Sequence, residues 1–264
     1  MAARCGRKWK SLVQRSSSSM QALLDQTAKN RQLPRGISLQ VLDERHNLNQ
    51  IRDFLARAFI ANNEPIVHVL GELYYPAVSL NLRIPLIEER FKSLFSEKSM
   101  LNKVEQGLSF VAVKDNNPSK LVSVMFAEKY TGRIYKGEST LDDPLCRTGL
   151  NLMRTVHEKA EPILEEYSAT RRIVFVSHAA THPKYRSLGI IEHTCDTLRA
   201  RHVDERAALC CLMTSHRLAQ FLIQRYGMEV IAEVFYKDYQ DNGHKVFEKL
   251  SEEEISAKAL ILCL

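Results

Sequence analysis

The sequence predicts a mixed α/β fold, with helices on both faces of a single β-sheet. Residues 108–113 and 120–127 are largely apolar, and the turn-forming residues between them predict an antiparallel hairpin. From residue 172 onward, apolar segments alternate with amphipathic ones in the order strand, helix, strand, helix, strand. Such an alternation is typical of a sheet covered by helices. We therefore expect one folded domain over residues 31–264 and a flexible tail over residues 1–30.

The elements before the hairpin are predicted from the spacing of apolar residues. Alternating polarity predicts a strand over residues 36–42, and apolar residues three and four apart from Leu48 onward predict an amphipathic helix. This helix is expected to end before Pro65, because proline disfavours a helical conformation at the residue that precedes it. A second helix is expected over about residues 82–95. The residues expected on or near its apolar face are Leu82, Leu86, Leu94 and Phe95.

The elements after the hairpin follow from the same two patterns. A third helix is expected around residues 152–167, with a disturbance near Pro162. Beyond it, the β-branched and apolar segments predict strands, and the amphipathic segments predict helices. The expected order is a strand over 172–177, a helix over 190–202, a strand over 207–213, a helix over about 217–226, a strand over 228–236 and a last short strand over 246–250.

The net charge of +6 is concentrated in the tail. The chain has 264 residues, with 37 Lys and Arg against 31 Asp and Glu, and the first 24 residues contain basic residues but no acid. The rest of the chain is therefore close to neutral, which argues against nucleic-acid binding by a basic folded surface. The apolar runs are far shorter than the ~20 residues that span a bilayer, so no membrane partner is expected.

The compartment is predicted to be the cytoplasm. A basic, serine-rich tail without acid is also typical of a mitochondrial transit peptide, so import through residues 1–24 is the alternative. The six cysteines are scattered, without a C-x-x-C pair or a matching histidine spacing. We therefore expect neither a metal site nor a catalytic thiol.

The segment most informative about chemistry runs from Ile173 to Ile191. An apolar strand, I-V-F-V-S-H-A-A-T, leads through H-P-K-Y-R-S-L-G directly into a helix that starts with I-I. The first turn of a helix presents unpaired backbone N–H groups at the positive end of the helix dipole, which favours a phosphate. Gly189 allows close approach to an anion, and Arg186 adds a positive charge. On spacing alone, an ordinary tight turn fits the segment equally well.

This junction resembles the acyl-CoA-binding motif of the GNAT acetyltransferase superfamily, R/Q-x-x-G-x-G/A. Arg186 and Gly189 match the motif, whereas Ile191 stands where the superfamily usually has glycine or alanine. The resemblance implies a GNAT-like twisted mixed sheet that is splayed at the motif strand, with acetyl-CoA as cosubstrate and no metal. The residues it assigns to cofactor binding are Ala179, Ala180, Thr181, Arg186, Ser187, Leu188, Gly189, Ile190 and Ile191.

Two further segments are similar to insect-type arylalkylamine N-acetyltransferases. Residues 59–66, F-I-A-N-N-E-P-I, resemble that family's F-x-x-x-D-E-P-L segment, with Asn63 in place of the aspartate. Residues 226–247 resemble the family's final block, which consists of L-G-F, a strand, D-Y, a polar turn with glycine, and V-F. The order of the segments is preserved, and the resemblance spans roughly residues 36–250.

The resemblance also assigns roles in acetyl transfer. Glu64 matches the family's general base, although on spacing alone it fits a solvated charge in a loop. Backbone N–H groups of residues 179–181 would stabilise the thioester oxygen. The position that holds a serine in the family is Ala219 here, and the position that holds a tyrosine in related branches is Ile223. Ser215 is then the nearest hydroxyl and the candidate general acid.

These assignments predict acetyl-CoA-dependent N-acetylation of a small primary amine, an arylalkylamine such as dopamine, serotonin or octopamine. One alternative is acetylation of a polyamine or of a protein lysine on the same fold. Another is a CoA-binding relic without turnover, because Ile191, Ala219 and Ile223 depart from the family pattern.

Overall fold

A seven-stranded sheet forms the centre of the molecule. The computed structural model describes residues 33–61, 64–132, 143–203, 206–250 and 254–264, so the predicted tail and Asn63 lie outside the described residues. The strands are β1 Ile37–Val41, β2 Phe110–Lys114, β3 Leu121–Lys129, β4 Arg172–Thr181, β5 Ala207–Met213, β6 Glu229–Phe235 and β7 Ser256–Cys263. They lie in the order β1-β2-β3-β4-β5-β7-β6. β4 and β5 pair in parallel, and the other neighbours pair antiparallel.

Seven helices in the described residues cover both faces of this sheet, which confirms the predicted fold class. They are α1 Leu48–Ala61, α2 Pro65–Tyr74, α3 Leu80–Lys92, α4 Glu97–Glu105, α5 Pro144–Ser168, α6 Ile190–His202 and α7 His216–Tyr226. No helix in the described part of the chain is long and apolar enough to cross a membrane.

Alternate residues of the strands point to opposite cores, as the two-residue repeat of a strand requires. In β4, Ile173 and Phe175 join the core that contains α1, α2, α3 and α5. Val174, between them, joins the core under α6, where it packs with Leu198 and Leu209. Both faces of β4 are therefore buried, which explains its nearly continuous run of apolar residues.

The helix expected before Pro65 is confirmed, but Pro65 itself begins a helix that the sequence did not predict. Pro65 is at the first position of α2, and the residue before it, Glu64, is the N-cap. Proline is tolerated there because the first N–H of a helix has no intrahelical acceptor. Two helices thus meet at Glu64, where the sequence predicted one helix followed by a loop.

The prediction for the apolar face of the helix over 82–95 is wrong in part. Leu82 is 66% exposed and Leu86 is 42% exposed, whereas Ile87 and Phe91 are buried in the core. The proline at position 85 lies inside α3. The apolar surface therefore lies over the second half of the helix, away from the two exposed leucines.

The predicted last strand over 246–250 is also wrong, because those residues form turns. Phe247 is nevertheless buried, and its ring packs against Tyr236 and Tyr239. The last strand is β7 instead, and it lies between β5 and β6 rather than at an edge.

Candidate active site

The sheet opens between β4 and β5, as the predicted splay at the motif strand requires. β4 pairs with β5 only over Arg172–Val176, although it continues along β3 to Thr181. The pairing with β3 skips Ser177, which forms a bulge at the point where β5 is lost. The last residues of β4 thus have no strand partner on the β5 side among the described residues. Their backbone N–H and C=O groups on that side are available to a ligand.

The turn after β4 leads directly into the N-terminus of α6. His182 accepts a hydrogen bond through Nδ1 from the N–H of Lys184 at 3.2 Å, and this bond caps a short 3₁₀ turn. Gly189 is the N-cap of α6 in the left-handed conformation, with φ +74°. The N–H of His193 donates to the carbonyl of Gly189 at 2.9 Å, so the preceding N–H groups of α6 lack an intrahelical acceptor. This arrangement is suited to binding an anion.

The side chains of this turn have separate roles. The guanidinium of Arg186 donates to the carbonyl of Ala61 at the end of α1, so it joins the turn to the helix that precedes Glu64. Ser187 and Leu188 are exposed. Ile190 is buried, and Ile191 packs into the core under α6. The side chain of Ile191 packs into this core. The isoleucine that stands in place of the expected glycine or alanine therefore leaves the backbone N–H groups at the start of α6 in place.

Glu64 lies at the carboxyl end of β5. Its carboxylate accepts a hydrogen bond from the hydroxyl of Thr214, the residue that follows β5. Burial raises the pKa of Glu64 to about 7, the Thr214 hydroxyl opposes this rise, and the nearby charge of Glu254 adds to it. A carboxyl with this pKa is partly ionised at neutral pH and can accept a proton there.

Topology brings Glu64 and the end of β4 to the same edge of the sheet. Parallel neighbours end at the same edge, so Thr181 at the end of β4 and Thr214 after β5 lie on either side of the opening. Thr181 is held in place by Ser123 of β3, whose hydroxyl lies 3.0 Å from its own. The structure therefore gathers the predicted base and the predicted cofactor segment around one gap.

Ser215, the candidate general acid, is engaged in capping α7. Its Oγ accepts from the N–H of Leu218 at 3.4 Å and donates to Oε1 of Glu254 at 3.3 Å. Ala219 is fully buried and Ile223 packs beside it, so neither offers a proton to the gap. The hydroxyl of Tyr226 donates to the carbonyl of Glu192 at 3.3 Å, which ties α7 to α6.

Other reactive side chains near the gap are held in neutral forms. His178 is enclosed by the rings of Phe59 and Phe95, and burial, with the charge of Lys103 adding, lowers its pKa to about 3. Burial also raises the pKa of the thiols of Cys195 and Cys210 to about 12, so they are protonated at neutral pH. Among the described residues, no group of three or more His, Cys, Asp or Glu side chains could hold a metal ion.

Two residues of the site were not predicted from the sequence. Thr214 is the residue that hydrogen-bonds Glu64, and Glu254 accepts from the N–H of His216 at the start of α7 at 2.7 Å. Thr214 could have been found from its place, since it directly follows the apolar strand that neighbours the motif strand. Glu254 carries no local signal.

Comparison with known proteins identifies the fold. No family model and no curated protein matches the chain. Among solved structures, the Drosophila melanogaster polyamine N-acetyltransferase that forms N-acetylagmatine has a TM-score of 0.62 and 18% identity, over 86% of this chain and 100% of its own. The mosquito protein arylalkylamine N-acetyltransferase-like 5b has a TM-score of 0.63 and 20% identity, over 86% of this chain and 100% of its own. The C-terminal condensation domain of Ebony, solved with β-alanyl-dopamine, has a TM-score of 0.65 and 16% identity, over 88% and 100%.

The chain therefore has the GNAT fold, as the resemblance implied. Its structural neighbours include insect arylalkylamine and polyamine N-acetyltransferases, at identities that establish the fold alone.

Proposed function

We propose that this protein transfers the acetyl group of acetyl-CoA to the nitrogen of a small primary amine, with Glu64 as general base. The observation that carries the proposal is the Glu64 carboxyl at the opening between β4 and β5, with a pKa raised to about 7. The fold neighbours that act on amines support the reaction class.

The residues present suit acetyl-CoA. The N–H groups at the start of α6, with Gly189 in the left-handed conformation, would hold the pyrophosphate. The unpaired edge of β4 over residues 177–181 would pair with the amides of the pantetheine arm. A backbone N–H of that edge would donate to the thioester oxygen as negative charge develops on it. No side chain at position 191 is needed for any of these contacts.

The amine must lose a proton before or as it attacks. An alkyl amine with a lysine-like pKa of ~10.4 is largely an ammonium at neutral pH. Glu64 attracts this ammonium and accepts its proton, directly or through water. The amine nitrogen then forms a bond to the acetyl carbon, the carbon–sulfur bond breaks, and the thiolate of CoA leaves and is protonated. A thiol with a pKa near ~8.5 is a fair leaving group, so the step does not require a strong general acid.

We propose an arylalkylamine of the dopamine, serotonin or octopamine type as the acceptor, on the strength of residues 59–66 and of the mosquito neighbour. A polyamine or agmatine is the second candidate, which the Drosophila neighbour favours. The two differ in whether the group remote from the reacting nitrogen is an aromatic ring or a second cation.

A CoA-release assay across aromatic amines, agmatine, polyamines and peptide amines tests the proposal. We expect thiol release with small amines, and a higher kcat/KM for tyramine-like amines than for agmatine. The reverse preference would favour the second candidate. Thermal stabilisation by CoA without thiol release for any amine would contradict catalysis and support a protein that binds CoA only.

A further inference from the structure

A second carboxylate lies at the junction that holds Glu64. Glu254, two residues before β7, accepts the N–H of His216 at 2.7 Å through Oε2 and the hydroxyl of Ser215 at 3.3 Å through Oε1. Glu64 is bound to Thr214, the residue just before Ser215. Three consecutive residues, the two between β5 and α7 and the first residue of α7, therefore hold two acidic side chains from distant parts of the chain.

The two carboxylates have different surroundings. Glu254 lies at the N-terminus of α7. There the helix dipole and the N–H of His216, which has no acceptor within the helix, stabilise a negative charge. Glu64 is itself the N-cap of α2, but its side chain makes no capping hydrogen bond there, and it accepts from the hydroxyl of Thr214 instead. Where two like charges share one site, the charge remains on the better stabilised group, and the other group takes up a proton. The geometry therefore favours charge on Glu254 and a proton on Glu64.

The other ionisable groups nearby do not reverse this balance. Tyr236, which follows β6, donates its hydroxyl to the carbonyl of Thr214. Further out, Lys258 of β7 pairs with Glu233 of β6. Glu233 also lies close to His216. Arg186 donates to the carbonyl of Ala61. The two cations are thus bound to other acceptors, and neither forms an ion pair with Glu64.

We propose that Glu254 is a positioning residue for Glu64: it holds the β5–α7 junction that carries Thr214, and its negative charge acts on the Glu64 carboxyl across that junction. This proposal rests on Glu64 being the base of the proposed reaction. It assigns to Glu254 no contact with the amine or with CoA.

The test is Glu254→Gln in the full chain, because glutamine keeps an oxygen for the N–H of His216 and removes the charge, while its NH2 group can donate to the Ser215 hydroxyl, which then acts as acceptor. The titration of the Glu64 carboxyl is followed by NMR of glutamate labelled with ¹³C at Cδ, with Glu64→Gln used to assign the signal. We expect the midpoint for Glu64 to move to lower pH, and the acidic limb of kcat/KM to move with it. Glu254→Asp, which restores the charge, should return both toward the unaltered protein.

A matched control is Glu248→Gln, which removes an exposed carboxylate outside the β5–α7 junction. It should leave the Glu64 midpoint closer to that of the unaltered protein than Glu254→Gln does.

An unchanged Glu64 midpoint in Glu254→Gln, or a midpoint in Glu254→Asp that stays as low as in Glu254→Gln, would overturn the proposal. The NMR titration is read without turnover. If the unaltered protein releases no CoA with any amine, the proposed function fails while the titration still decides the role of Glu254.

Discussion

Two opposing effects set the pKa of the Glu64 carboxyl. Burial disfavours its ionised form, whereas the Thr214 hydroxyl favours it, and the outcome is a pKa of about 7. A base is most effective when its pKa lies near the working pH, because it is then both ionised and able to accept a proton. The position before Pro65 fixes the backbone of Glu64 as the N-cap of α2, so the carboxyl is also held in place.

Glu64→Gln should lower kcat/KM for the best amine by about 10²-fold or more, the usual contribution of a positioned general base. The acidic limb expected near pH 7 in the unaltered protein should disappear in the variant. Steady-state CoA release between about pH 5.5 and 9 measures both. A variant that retains the limb would show that another group accepts the proton.

The same substitution should change stability in a pH-dependent way. Glu64 has a pKa of about 7 in the folded chain and an ordinary value of 4.5, so folding favours its protonated form. That contribution is complete below 4.5 and is lost as the pH rises through 7. Relative to Glu64→Gln, the unaltered protein should therefore lose on the order of 1–3 kcal/mol of unfolding free energy across this range. Urea unfolding at both ends of the range tests it, with the exposed Glu248→Gln as control, which should show no such difference.

Glu233 and Lys258 form an ion pair in which the lysine side chain is only 4% exposed. Glu233→Gln should destabilise the protein by about 3–5 kcal/mol, because it leaves a buried ammonium without a counter-charge. Glu88→Gln removes the partner of the largely exposed Arg57 and should cost less than about 1 kcal/mol. Equal unfolding free energies for the two variants would show that the interior tolerates the lone lysine.

At the scale of elements, the Ser215 hydroxyl at the start of α7 is both a helix cap and the candidate general acid. Ser215 both accepts from the helix backbone and donates to Glu254, so it stabilises the helix and the loop that precedes β7. Its engagement in capping favours a structural role over that of a proton donor to the thiolate.

Ser215→Ala should therefore lower the unfolding free energy by about 1 kcal/mol, as the loss of an N-cap does. Ser215→Asn, which supplies another good cap, should restore most of that stability and keep kcat within a few-fold of the unaltered enzyme. Chemical unfolding and steady-state kinetics on the same preparations measure the two effects. A large loss of kcat in the stable asparagine variant would instead support a general acid at this position.

The elements that could be predicted from sequence are those whose signal is local. The apolar spacing of α6 and the apolar run of β5 gave bounds that agree with the structure. β7 could not be predicted because its pattern contains Lys258, and the partner that makes a buried lysine tolerable lies on β6. Residues 246–250 have the composition of a strand, yet Phe247 serves to fill a core between two tyrosines.

The residues of the candidate site likewise divide into those with a local signal in the sequence and those without one. Glu64 and the turn around Gly189 could be predicted because a resemblance to known sequences marks both. Thr214 and Glu254 could not, since the contacts that give them meaning join residues 150 and 38 positions apart. The electrostatic setting of Glu64 is thus a property of the tertiary fold, whereas its proposed role as base came from the sequence.

At the scale of the whole molecule, β7 holds the sheet together. It pairs with β5 on one side and β6 on the other, and its residues from Ala257 to Ile261 are buried. Without it, β6 would have no strand partner among the described residues, and β5 would present a long apolar edge.

Removal of residues 256–264 should therefore abolish cooperative folding rather than merely lower stability. Near-ultraviolet circular dichroism and urea unfolding of the shortened chain test this, and we expect loss of the near-ultraviolet signal and of a sharp transition. Ile255→Ser, which changes an exposed residue next to β7, should unfold as the unaltered protein does. A shortened chain with a cooperative transition would show that the remaining strands close the sheet by themselves.

The position of β7 in the sheet also affects folding during synthesis of the chain. The strand that joins β5 to β6 is synthesised after both of them, so in a growing polypeptide the edges of β5 and β6 that pair with β7 stay unpaired until β7 has left the ribosome. Such edges are prone to pair with other chains. We therefore expect the nascent protein to depend on chaperones until β7 is available, more than its modest size would suggest.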